Sequence, residues 1–89
     1  MTGPRFVVYS RGDCPLCDEF VAELTRALGI SAPAFDVRDV DADPETRRRF
    51  GLKVPVLTCD GSVVCHGRLD AAALARLLPR PQGGGRRLL

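Results

Sequence analysis

Arg5-Phe6-Val7-Val8-Tyr9-Ser10-Arg11-Gly12-Asp13-Cys14-Pro15-Leu16-Cys17 is the stretch that decides the fold. Residues 5–9 are short, β-branched and aromatic, and a polar run with a glycine ends them. They read as a buried strand followed by a tight turn. Pro15 stands where the first turn of a helix tolerates proline, because the N–H it lacks has no helical partner there. Apolar residues then recur with helical spacing at Phe20, Val21, Leu24, Ala27 and Leu28, and Gly29 stops the run. A cysteine pair therefore sits between a strand and the start of a helix.

Outward from this unit, residues 34–40 alternate and predict a second strand. Asp41 or Asp43 caps a second helix, with Pro44 at its first position; it runs to Phe50 and ends at Gly51. Residues 54–59 predict a third strand, Asp60-Gly61 is a strong hairpin signal, and Ser62 to His66 return as a fourth. Gly67 breaks that strand, Asp70 caps, and residues 71–78 predict a last helix with Leu74, Leu77 and Leu78 on its apolar stripe. The order β-α-β-α-β-β-α belongs to the α/β class. Its opening implies parallel pairing through a right-handed crossover, and its closing hairpin adds antiparallel strands. The expectation is a four-stranded mixed sheet flanked by helices, forming one domain over residues 1–78. Residues 79–89 have no periodicity and are expected to form a disordered tail.

At 89 residues the chain has room for one domain. It has no run of about 18 apolar residues, so no membrane span is expected. Met1 to Arg5 lacks the layout of a secretory signal, and a cytoplasmic location is expected. The net charge of +2 comes from the tail, where Arg80, Arg86 and Arg87 have no acidic neighbours; the remainder holds 10 basic against 11 acidic residues. Without a basic excess or an aromatic platform, no nucleic-acid partner is expected.

Four cysteines are too few for a disulfide scaffold. The spacing of Cys14 and Cys17 suits thiol–disulfide exchange, which needs a stabilised thiolate and a second thiol within reach. A helix start supplies free N–H groups and the positive end of the dipole. This assigns Cys14 as the exposed nucleophile and Cys17 as the resolving thiol. Arg11 adds cationic stabilisation, whereas Asp13 and Asp18 oppose it. Two other readings are a buried inert pair and a zinc site of Cys14, Cys17, Cys59 and Cys65. The second pair, with five intervening residues, does not form the tight knuckle of zinc sites, so no metal ligand is expected. Val54-Pro55 opens the third strand, and a cis bond there is expected, leaving the backbone of Val54 free to pair with a substrate strand. A plain two-residue turn sets Cys59 opposite Ser62 and Cys65 opposite Val56. That parity places the two sulfurs on opposite faces, with no bond between them. Both read as packing residues, with a regulatory thiol or glutathionylation site as the alternative. His66 reads as a surface histidine. Arg47, Arg48 and Arg49 read as a solvated helix face, with substrate-carboxylate binding as the alternative.

Tyr9-Ser10-Arg11-x-x-Cys14-Pro15-Leu16-Cys17, Val54-Pro55 and Gly67-x-x-Asp70 together resemble a glutaredoxin of the thioredoxin superfamily, closest to the short bacterial glutaredoxin-like proteins. The resemblance spans about residues 5 to 78. It implies a thioredoxin-like fold and disulfide reduction, with glutathione as co-substrate and no tightly bound cofactor. Disulfide-bearing proteins are the implied partners, and a monomer is expected. It also implies that Arg11 meets the glycine carboxylate of glutathione, that Val54 pairs with its cysteinyl backbone, and that Pro55 is cis. Leu16, Gly67 and Asp70 complete the implied glutathione-binding set, with Arg47 or Arg48 as a further basic contact. Leu16 stands where the family usually has tyrosine or phenylalanine, His66-Gly67 where it has Gly-Gly, and Leu69 at a polar position. Two alternatives keep the fold: a metal-binding module, with zinc or a glutathione-bridged iron–sulfur cluster, and a redox-inactive adaptor.

Overall fold

The computed structural model describes residues 5–29 and 34–78; the predicted tail lies outside them. Strand β1 (Phe6–Ser10) leads to helix α1 (Pro15–Leu28), then β2 (Phe35–Asp39), a single 3₁₀ turn (Val40–Ala42), α2 (Pro44–Phe50), β3 (Val56–Cys59), β4 (Ser62–His66) and α3 (Ala71–Ala75). The sheet order is β2-β1-β3-β4, with β1 and β2 parallel and the other two pairings antiparallel. This is the mixed four-stranded α/β sheet read from the sequence, and the fold is thioredoxin-like.

Alternation along β1 and β3 sorts the core into two layers. Phe6, Val8, Leu57 and Cys59 face Phe20, Leu24 and Leu28 of α1 and Leu74 of α3. On the other face Val56 meets Val40 and Phe50, with Tyr9 and Val54 at the margin. The stripe on α1 is narrower than predicted: Cys17, Phe20, Leu24 and Leu28 are buried, while Ala27 is exposed. α2 is short because it begins on an aspartate and a proline and ends at a glycine. The Asp43 side chain accepts from the Glu45 N–H at 3.0 Å, and the Gly51 N–H returns to the Arg47 carbonyl. The 3₁₀ turn, which the sequence reading lacks, is capped by Asp39 accepting from the Asp41 N–H at 2.9 Å.

The third strand begins at Val56, two residues later than predicted, because Pro55 has no N–H for the ladder. Asp60 (φ 51°) and Gly61 (φ 88°) form the expected hairpin turn. The return strand departs from the plain register. Thr58 pairs with Val63 and Leu57 with Cys65, so Val64 is an extra residue and β4 carries a bulge. Cys65 therefore opposes Leu57, not Val56. The bulge also overturns the expected parity: Cys59 and Cys65 both pack toward the α1 and α3 layer. They remain free thiols, as expected.

α3 is regular only to Ala75. Beyond it, Leu77 and Leu78 donate to carbonyls three residues back, a tightening that ends the helix early. Its start depends on Asp70, whose Oδ1 accepts from the Ala73 N–H at 3.0 Å. Asp70→Ala is expected to cost about 1 kcal/mol. The melting temperature should then fall by roughly 4–8 °C, as read by calorimetry; an unchanged melt would mean that the cap contributes nothing.

Candidate active site

β1 delivers the chain to a loop, Arg11-Gly12-Asp13, and the loop delivers Cys14 to the N-cap of α1 with extended backbone (φ −142°, ψ 93°). Cys14 Sγ accepts the Cys17 N–H at 3.1 Å, and its carbonyl takes the first helical N–H, from Asp18, at 3.1 Å. Pro15 at the first helical position leaves one orphan donor fewer to satisfy. Cys14 is half-buried, whereas Cys17 is 1% exposed and belongs to the buried face of α1. The two are joined as a disulfide across a Cα–Cα separation of 5.2 Å. An N–H aimed at the outer sulfur, together with the helix dipole, favours its thiolate once the bond is reduced.

The other residues singled out in the sequence converge on this end of the sheet. β3 runs antiparallel to β1, with Tyr9 opposite Val56, so Val54 and Pro55 lie level with the exit of β1. The Val54–Pro55 bond is cis. Among the described residues, no backbone hydrogen bond engages Val54. The Gly67 N–H donates to the Pro55 carbonyl at 2.8 Å, which ties the exit of β4 to the entry of β3. Asp70 follows as the cap of α3. Leu16 is 40% exposed beside the cysteines. His66 is exposed at the end of β4.

Arg11, expected to add cationic stabilisation, is held by partners of its own. Its Nε and Nη2 donate to the two carboxylate oxygens of Asp41 at 2.8 and 2.9 Å, and its Nη1 donates to the Gly51 carbonyl at 2.9 Å. The hydrogen bond between them holds the Arg11 guanidinium above its ordinary pKa and the Asp41 carboxyl below its own. Gly51 allows this closeness, since a Cβ there would press on the Arg47 carbonyl and approach the Arg11 guanidinium. Arg47 Nε lies 3.7 Å from Asp41, and Arg48 pairs with Glu45. Asp41 was read from the sequence only as a possible helix cap. Its partner is 30 residues away, and no local pattern reports such a pair.

The remaining thiols differ from Cys14. Burial pushes both up in pKa, helped at Cys59 by the charge of Asp60 and countered at Cys65 by a backbone hydrogen bond from Asp70. Among the described residues, no three His, Cys, Asp or Glu side chains gather as a metal site, and no helix is long and apolar enough to cross a membrane. A groove of about 380 Å³, lined by Arg5, Tyr9, Arg38 and Thr58 among others, lies on the α2 face and holds no sulfur.

The family model for the glutaredoxin-like domain (DUF836) matches residues 5–79, which bears out the resemblance read from the motifs. The solution structure of protein Ne2328 from Nitrosomonas europaea is similar at a TM-score of 0.79 and 28% identity, over 89% of this chain and 95% of that one. The X-ray structure of target protein XcR50 from X. campestris is similar at 0.64 and 34% identity, over 80% of this chain and 91% of that one. No curated protein matches the chain.

Proposed function

The chain belongs to the glutaredoxin-like domain (DUF836) family, and on that premise we propose that it is a thiol–disulfide oxidoreductase working through Cys14 and Cys17. The observation that carries this reading is the 3.1 Å hydrogen bond from the Cys17 N–H to Cys14 Sγ at the start of α1. It favours the thiolate on the accessible sulfur and leaves the buried one as its resolving partner.

The chemistry follows from those positions. The Cys14 thiolate attacks one sulfur of a substrate disulfide; that S–S bond breaks, a mixed disulfide forms, and the other substrate sulfur leaves as a thiolate. Cys17 loses its proton and attacks Cys14 Sγ, releasing the second substrate thiol. Two electrons have passed to the substrate, and the chain holds the Cys14–Cys17 disulfide. Two molecules of an external thiol, glutathione in the simplest case, return the pair to the reduced state by the reverse exchange and leave as their own disulfide. Disulfide-bearing proteins are the proposed substrates. Val54 offers its free backbone to an extended substrate segment. A cytoplasmic location suits a reductase that draws on a thiol pool.

Cys17→Ser removes the resolving thiol and is expected to accumulate a mixed disulfide on Cys14, visible as a mass increase that a reductant reverses. Adducts on Cys59 or Cys65 in its place, or no adduct at all, would overturn the assignment. In the reduced wild type, iodoacetamide near pH 7 should label Cys14 well before Cys59 and Cys65, whose raised pKa keeps them as thiols there.

A further inference from the structure

Resting on the oxidoreductase reading above, we infer that Asp41 sets substrate selectivity: it occupies Arg11 in an internal ion pair, so the site favours a disulfide flanked by uncharged, apolar peptide over one flanked by free carboxylates.

Arg11 lies three residues before Cys14 and is the cation of the loop that carries the nucleophile. An anionic substrate would turn to it first, because a guanidinium binds a carboxylate through two parallel N–H donors. Those two donors, Nε and Nη2, already meet both oxygens of Asp41, and a third meets the Gly51 carbonyl. The Asp41 carboxylate is part of the same chain. An incoming carboxylate must therefore displace a partner present at high effective concentration. Arg47 shares that carboxylate at 3.7 Å, and Asp39 adds its charge beside Arg11. The two arginines and two aspartates cancel. Of the other arginines on α2, Arg48 pairs with Glu45 and Arg49 lies over the Phe50 ring.

What the site does present is apolar. Leu16, between the cysteines, is 40% exposed, and Leu52, two residues before Val54, is fully exposed. Val54 lies between them in character, half-buried with its backbone unengaged among the described residues. An extended segment with apolar side chains satisfies these groups. Glutathione, with two carboxylates, meets Arg11 donors that are already engaged; it serves from solution as a reductant rather than as a docked half of the substrate.

The test compares two mixed disulfides of one reporter thiol, one made with glutathione and one with an amide-capped apolar tripeptide containing cysteine. Wild type is expected to turn over the peptide form with the higher kcat/KM. Asp41→Asn keeps the side-chain shape and frees the Arg11 charge. It is expected to shift the ratio of the two kcat/KM values toward glutathione by about fivefold, the scale of one exposed charge at contact distance. The shift should appear in KM and fade at high salt. A merely structural role for Asp41 lowers both rates together and leaves the ratio unmoved, which overturns the inference, as does a wild type that prefers glutathione. Asp41→Ser, run alongside with thermal melts, shows the same ratio shift if loss of the charge is the cause. If wild type reduces neither substrate, the oxidoreductase reading itself falls and the inference falls with it.

Discussion

Cys14→Ser is expected to abolish disulfide reduction, with a rate loss of roughly a thousandfold or more, the scale set by removing a nucleophile that acts within a unit. The reason lies in the atom. Thiol–disulfide exchange runs on a thiolate, and a serine hydroxyl is a far weaker acid and nucleophile than a thiol. The fold should survive, because serine is a favoured N-cap and its oxygen takes the Cys17 N–H that the sulfur holds now. Cys14→Ala is the matching control: equally inactive, and less stable than Cys14→Ser by about 1 kcal/mol because the cap is lost. Insulin reduction by the pre-reduced proteins gives the rates, and chemical denaturation in the reduced state gives the stabilities. Turnover surviving in Cys14→Ser would remove Cys14 from the mechanism.

The second large effect concerns Phe20. It is 1% exposed in the layer between α1 and the sheet, one turn beyond Cys17 on the same buried stripe. Phe20→Ala removes a ring from a closely packed site and leaves a cavity, at an expected cost of about 3–5 kcal/mol. A domain of this size has roughly 5–15 kcal/mol in hand, so the variant should be partly unfolded at modest denaturant concentration. Leu52→Ala, at a fully exposed leucine, is expected to change stability by less than about 0.5 kcal/mol. Urea titrations of the two variants side by side decide the matter. A Phe20→Ala cost under about 1 kcal/mol would mean that α1 is not anchored through this ring.

Much of the architecture was legible because its signals are local. A β-branched run before a cysteine pair and Pro15, a stripe at Phe20, Leu24 and Leu28, and Asp60-Gly61 each report on a few neighbouring residues. The caps at Asp43 and Asp70 were legible for the same reason, and so was Cys14 as the outer of the two sulfurs. The errors are tertiary. Alternation in Ser62 to His66 looks regular, and nothing in those residues announces that Val64 is left over. The pairing slips because β3 and β4 must both satisfy the layer beneath them. Nor do the neighbours of Arg11 in sequence show what it pairs with. Its partner arrives from the 3₁₀ turn after β2, which is built only when that strand pairs beside β1. α3 appears longer in sequence than in space because Leu77 and Leu78 continue the apolar spacing after the helical hydrogen bonding has tightened.

The bulge has one more consequence. Among the described residues β4 is the last strand of the sheet, and its outer row of N–H and C=O groups is unpaired. Such a row is a template for another chain, and regular spacing is what makes it an effective one. The additional residue at Val64 breaks that spacing near the middle of a five-residue strand and increases its local twist. An incoming strand could match the donors and acceptors on one side of Val64 or the other, but not across it. The same irregularity that turns Cys65 inward thus guards an exposed, valine-bearing margin against runaway sheet growth from one molecule to the next.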